Sequence, residues 1–99
     1  VESNAPKKLT LIEMENLKET ELEQIIPDNY SRDMEYADDC RYALGKLQLE
    51  GTNQDNVPLN MAKGLDLVRL AQTHGHKLAD ELKTYQDIRF TAHPELKKI

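Results

Sequence analysis

The 99-residue sequence has no tryptophan, one phenylalanine and one cysteine. A single thiol, Cys40, excludes an internal disulfide and a zinc site built on several cysteines. With so few aromatic side chains, the core is expected to be aliphatic. The longest uninterrupted apolar run is Tyr42-Ala43-Leu44. A membrane-spanning helix needs about 20 such residues, so the sequence predicts no membrane insertion.

Basic residues are outnumbered. The chain carries 13 Lys and Arg against 18 Asp and Glu, for a formal net charge of −5. Nucleic-acid binders need basic surface to displace phosphate counterions, so we expect no nucleic-acid partner. Because the chain begins at Val1 and shows no signal-peptide pattern, we expect a processed product or an excised piece. Cytoplasm and bacterial periplasm both stay open as locations.

The apolar spacing predicts a single all-α domain, residues 1–99, of three to four helices. Stripes at i, i+3 and i+4 indicate helices near 32–50, 58–74 and 76–90. Residues 1–30 form an acidic lead-in and a less certain segment: 9–26 reads as one helix or two, with a short strand at its start as a weaker alternative. Residues 31–90 carry the helical pattern, and 91–99 are expected to be a frayed tail.

Local signals indicate where these helices begin and end. Two capping-box spacings occur, Thr10 with Glu13 and Thr20 with Glu23. Proline, glycine and one serine should mark the other helix starts and ends. The expected signals are Pro27-Asp28-Asn29 as a stop, Ser31 as an N-cap, Pro58 in a first turn, and Gly51 and Gly75 as C-terminal stops.

Residues at the helix ends resemble a known repeat. Cys40, Leu44, Gly45 and Gly51 are similar to the first helix of Sel-one-like repeats, relatives of the tetratricopeptide repeats, although Gln48 replaces their usual aromatic residue. The second helix matches at Ala62, Ala71, Gly75 and His76, and Ala79 falls where a new repeat begins. The resemblance covers residues 36–90, about one and a half repeats, and implies antiparallel helical hairpins that bind other proteins. An unrelated three- or four-helix bundle is the alternative.

Candidate catalytic and metal-binding residues are few. His74 and His76 straddle a helix end and lack a neighbouring acidic or thiol ligand at helical spacing. The adjacent carboxylates Asp38-Asp39 and Asp80-Glu81 are typical of solvated helix faces, and Cys40 lies in an apolar stripe. We therefore predict no catalytic residue, no cofactor and no metal.

The sequence favours a small non-catalytic interaction protein: an adaptor, a complex subunit or an inhibitor of the immunity type. A structural fragment of a longer repeat protein is the alternative. A small enzyme is a third reading, which a buried titratable pair in a cleft would support.

The expected partner is another protein or a second copy of the chain. With Cys40 taken as the core direction, Asp38, Tyr42 and Leu49 should face outward, unless the 9–26 helix covers Tyr42 and Leu49. The third helix should add outward side chains. These are Glu81, Tyr85, Ile88 and Phe90.

Overall fold

A computed structural model describes residues 9–29 and 32–95. These residues form five α-helices and no strand, which confirms the all-α prediction and makes the strand alternative wrong. The helices are α1 (Leu11–Met14), α2 (Glu19–Asn29), α3 (Met34–Glu50), α4 (Met61–Thr73) and α5 (Lys77–Ala92). The uncertain 9–26 segment is thus two helices, and α5 extends two residues into the expected tail.

One of the two capping boxes is present. Thr10 accepts a hydrogen bond from the Glu13 backbone N–H, and the Glu13 carboxylate accepts one from the Thr10 N–H. The predicted Thr20–Glu23 box is wrong, because α2 starts one residue before Thr20 and its reciprocal contact joins the Lys18 N–H to Glu21. The acidic residues at 21 and 23 offer this contact two registers, and the earlier one, which starts at Lys18, forms.

Pro27 does not stop its helix as predicted. It has no N–H to donate, yet α2 continues to Asn29. Its missing N–H removes one bond of the i→i−4 ladder, and α2 ends two residues later. At the end of α2, the Asn29 side-chain amide donates a hydrogen bond to the carbonyl of Ile25 at 2.9 Å.

The later helices begin at carboxylate, amide and imidazole caps. Asp33 caps α3, Asn60 caps α4 and His76 caps α5, each accepting a hydrogen bond from a backbone N–H three residues later. Pro58 therefore lies before α4 and not in its first turn. Ser31, the predicted cap of α3, lies outside the described residues.

Two glycines take left-handed backbone conformations at the ends of helices. Gly51 follows α3 with φ 64°, and Gly75 follows α4 with φ 87°. Both predicted stops are confirmed, since glycine is the residue that adopts positive φ without steric cost.

Valine at either glycine should lower the free energy of unfolding by more than about 1 kcal/mol, because a β-branched residue is strained at positive φ. Urea unfolding followed by circular dichroism measures the change. Neutral effects at both sites would contradict this account of the helix ends.

Helix α3 is the centre of the fold. It packs against α1 and α2 on one side, against α4 on another, and slightly against α5. Its buried side chains divide between two apolar clusters, which the helix separates. The first holds Met14, Leu22, Tyr36, Cys40, Ala43, Leu44, Leu47 and Val57; the second holds Leu49, Met61, Val68, Ala71, Ala79 and Phe90.

This double packing overturns the predicted outward face of α3. Asp38 is 3% exposed and Leu49 is fully buried. Tyr42 is half-buried and packs against the second cluster. The prediction assumed one core direction through Cys40, whereas α3 contacts other helices on more than one side.

Helix α4 also contributes apolar side chains to both clusters. Leu67 packs against the first cluster, while Val68 and Ala71 belong to the second. Helix α4 therefore packs on more than one side. Leu70, at the edge of the stripe, stays 41% exposed.

A pair of glycines sets the distance between α3 and α4. A Cβ atom on Gly45 would lie 2.7 Å from Val68 Cγ2 and 2.9 Å from the Gly64 carbonyl oxygen. A Cβ atom on Gly64 would lie 2.8 Å from the Gly45 carbonyl oxygen. Ala62, on the same helix, is exposed and takes no part in this contact.

The contacts between α3 and α4 run in opposite order along the two helices. The Asn60 N–H donates to the Gln48 carbonyl, Gly45 meets Gly64, and Asp38 meets His74. The N-terminal half of α3 is thereby brought to the turn between α4 and α5.

Cys40 is fully buried, as predicted, and its thiol donates to the Leu22 carbonyl at 3.2 Å. Burial raises the pKa of the thiol from 9.0 to about 12; the nearby Arg41 charge lowers it and Asp39 raises it by smaller amounts. The thiolate is the reactive form, so a thiol reagent should label native protein slowly and denatured protein quickly. Fast native labelling at neutral pH would contradict the burial.

The same shift predicts a pH dependence of stability. Above about pH 9 the unfolded chain loses the Cys40 proton while the folded chain keeps it, so stability should fall as pH rises from 9 towards 12. Unfolding curves of wild type and Cys40→Ala over this range separate the contribution of the thiol.

Candidate functional site

Two histidine–aspartate pairs join the α4–α5 turn to α3. The Nδ1 of His74 lies 2.9 and 3.1 Å from the two carboxylate oxygens of Asp38, and the Nε2 of His76 lies 2.6 Å from Asp39 Oδ1. The pairs border a cleft that α3 and the start of α5 form together. Its lining also includes Met34, Glu35, Gly75, Lys77 and Leu78.

Both ring nitrogens of His76 have hydrogen-bond partners. Nδ1 accepts from the Ala79 backbone N–H at 3.1 Å and so caps α5. Since Nδ1 accepts, the hydrogen of the neutral ring is on Nε2, which donates to Asp39. The ring also stacks on Tyr42, with centroids 5.5 Å apart. His76 therefore fixes the start of α5 against α3.

Asp38 is the buried member of the cluster. Its carboxylate accepts from Arg41 Nη1 at 2.6 Å, in addition to His74. The Arg41 side chain is as deeply buried as Asp38. A buried charge pair of this kind is costly to break, because removing one partner leaves the other without its counter-charge.

The cleft places titratable side chains together, which is the arrangement that the enzymatic reading requires. The described residues that line it include carboxylates, imidazoles and one ammonium group, but no hydroxyl or thiol that an imidazole could activate as a nucleophile. Nor do the residues of 9–29 and 32–95 place three His, Cys, Asp or Glu side chains where they could hold a metal ion. The hydrogen bonds seen here hold helices together.

The sequence did not predict these pairs, because each histidine has its carboxylate partner on another helix and not at helical spacing on its own. The signal was present in the hairpin pattern. If two helices run in opposite directions, the start of the first lies beside the end of the second, and Asp38-Asp39 must approach His74 and His76. Each imidazole then finds a carboxylate on the other helix.

A second candidate surface is the outer face of α5. Leu78, Tyr85 and Ile88 are 40%, 58% and 64% exposed, and Glu81 is exposed between them. The predicted outward positions of Glu81, Tyr85 and Ile88 are confirmed. Phe90 was expected beside them, but it is 3% exposed and belongs to the second cluster.

The predicted partner patch on α3 does not assemble at the surface. Asp38 is committed to Arg41 and His74, Leu49 is enclosed by the second cluster, and Tyr42 stacks on His76. Residues of α4, α5 and the turn between them cover Tyr42 and Leu49, whereas the sequence suggested that the 9–26 helices would cover them. Among the predicted partner residues, those of α5 alone form a common exposed face.

No helix in the described part of the chain is both long and apolar enough to cross a bilayer. Compared with known proteins, the chain matches no family model, no curated sequence and no solved structure.

Proposed function

We propose that the chain is a small, non-catalytic protein-interaction module that binds its partner through the outer face of α5. An adaptor, a complex subunit and an inhibitor all work in this way. The observation that carries the proposal is the exposed apolar stripe formed by Leu78, Tyr85 and Ile88. Large apolar side chains that share one exposed face mark interfaces more often than scattered ones do.

The spacing of the stripe suits a helical partner. Leu78, Tyr85, Ile88 and Ala92 follow one another at intervals of seven, three and four residues, the pattern of a helix that packs along another helix. The inner face of α5 is already occupied, since Ala79 and Phe90 are buried against α4 and α3. A partner helix would lie along the outer face.

Charge complementarity favours a second copy of the chain as this partner. If two α5 helices pair in opposite directions about Tyr85, Leu78 meets Ala92 of the other copy, and Glu81 meets Arg89. Each copy would contribute one Glu81 and one Arg89, so the two-fold interface would hold two opposite-charge pairs. The outer face of α5 is therefore self-complementary in charge.

Membership of the Sel-one-like repeat family belongs to the same proposal. The glycine stops at Gly51 and Gly75, the close contact at Gly45 and the opposite order of contacts along α3 and α4 support it. In a longer repeat array, which is the alternative function, the next repeat would cover α5. A dimer of the 99-residue chain in solution would favour the module over the fragment.

Sedimentation velocity should show a concentration-dependent dimer of the wild type. Ile88→Glu should shift the chain towards monomer by at least tenfold in dissociation constant, because it puts a charge into the apolar stripe. Thr52→Glu adds the same charge at an exposed position away from α5 and should leave the dimer unchanged.

Exchange of charge gives the specific control. Glu81→Arg should weaken the dimer, and Glu81→Arg with Arg89→Glu should restore it, since the opposite charges then face each other again. A wild-type chain that stays monomeric at high concentration would refute self-association through α5.

A further inference from the structure

His76 holds the start of α5 through all of its hydrogen-bonding groups. Its backbone N–H donates to the Ala71 carbonyl at 3.0 Å, and its carbonyl accepts from the Asp80 N–H at 3.0 Å. The ring accepts from the Ala79 N–H through Nδ1 and contacts Asp39 through Nε2. The side chain is 8% exposed. The backbone and the ring of His76 are therefore both fixed in place.

This arrangement fits the neutral imidazole and not the charged one. A neutral ring offers one acceptor and one donor, whereas the charged ring has two donors. In the charged ring, Nδ1 carries a hydrogen that points at the Ala79 N–H, and that N–H loses its acceptor. The positive end of the α5 macrodipole lies at the same place and repels the added charge. A protonated His76 therefore cannot cap α5.

The contacts with α3 hold the charged ring where it is. Both forms of the ring donate from Nε2, and the bond to the Asp39 carboxylate is stronger when both groups are charged. The stacking on Tyr42 also keeps the ring on α3. Because Ala79 is fully buried, its N–H is costly to leave without an acceptor. The first turn of α5 is then the part that has to open.

Other titratable groups surround the ring on the elements packed against it. They are Glu35, Asp38, Asp39, Arg41 and Tyr42 on α3, His74 in the α4–α5 turn, and Lys77 and Asp80 on α5. Among these side-chain types, imidazole is the one whose charge ordinarily changes between pH 5 and 8. A charged His74 keeps its contact with Asp38, because a carboxylate accepts from a charged ring. Acid therefore leaves the end of α4 on α3.

We propose that His76 is an acid-sensitive cap, which closes the first turn of α5 when the ring is neutral and releases it when the ring is protonated. The released turn carries Leu78, one residue of the exposed α5 face. Acid should therefore weaken a contact made through that face, a consequence that rests on the proposed function.

NMR of the full chain, titrated from about pH 8 towards pH 5, tests the cap. The ring nitrogens of His76 are followed until they show the charged form, together with the Ala79 amide. We expect the protection factor of Ala79 against hydrogen exchange to fall at least about fivefold, as the loss of an N-cap implies. Lys63 is the internal control, because Asn60 caps α4 in the same way with an amide that does not titrate. Its protection should stay constant.

Two variants assign the response to one ring. His76→Asn keeps a side-chain acceptor at the cap and removes the titrating nitrogen, so Ala79 should stay protected at both ends of the titration. His93→Asn removes a histidine that is 62% exposed beyond the end of α5 and should leave the wild-type response unchanged. In sedimentation, the dissociation constant of the dimer should rise in acid more for wild type than for His76→Asn.

Three results would overturn the proposal. One is an Ala79 amide that stays as protected as Lys63 while the His76 ring is charged. Another is the same acid response in His76→Asn. The third is loss of helical circular dichroism throughout the chain before the ring takes up its proton. A chain that never dimerises would count against the proposed function and would leave these results readable, since they concern amides within one chain.

Discussion

Gly64→Ala should lower the free energy of unfolding by at least about 2 kcal/mol, although alanine is the better helix former by about 0.5–1 kcal/mol. The added methyl group would lie 2.8 Å from both the Gly45 carbonyl oxygen and Leu49 Cγ. The carbonyl belongs to the backbone of α3 and cannot rotate away. Helices α3 and α4 must separate, and both apolar clusters lose contacts.

Gly75→Ala is the matched control for this change. A Cβ atom at Gly75 meets nothing within 4 Å, so its cost of about 1–2 kcal/mol comes only from the positive φ of 87°. Urea unfolding gives the loss of unfolding free energy for each variant. The loss for Gly64→Ala reports steric crowding, and the loss for Gly75→Ala reports backbone strain. A smaller loss for Gly64→Ala than for Gly75→Ala would contradict the close contact of α3 with α4.

Asp38→Ala should cost about 3–5 kcal/mol, the range for breaking a buried ion pair by removing one partner. Arg41 would keep its charge in a buried position without the carboxylate that now lies 2.6 Å from Nη1. His74 would lose its partner across the helix pair as well. Chemical unfolding monitored by circular dichroism measures the loss.

The neighbouring Asp39→Ala supplies the comparison. Asp39 lies on the same helix and also pairs with a histidine, but its side chain is 37% exposed, so its loss should cost about 1 kcal/mol. Adding Arg41→Met to Asp38→Ala should recover part of the stability, since no buried charge then remains. Equal losses for the two aspartates would show that the Asp38–Arg41 pair is not the buried anchor of the cluster.

Local signals in the sequence predicted the helices well. The glycines at 51 and 75 and the Thr10–Glu13 box depend on a few neighbouring residues, and each is found where the pattern places it. Such features need no knowledge of the partner helix.

The burial of Asp38 and Leu49 could not be derived in the same way. A helical wheel assumes one core direction, and α3 has more than one because it lies between α1–α2 and α4. The burial of Phe90 is missed for the same reason. Which side of a helix is covered depends on helices distant in sequence, and the hydrogen-bond roles of the His76 ring appear only once these are in place.

The most direct test of the interaction face is an isotope-filtered NMR experiment on a mixture of labelled and unlabelled chains. It detects proton contacts between copies and reports which side chains make them. We predict contacts between the two Tyr85 rings, and between the methyl groups of Leu78 and Ala92 of opposite copies. Contacts confined to other surfaces, or none at millimolar concentration, would contradict the assignment of the α5 face as the interface.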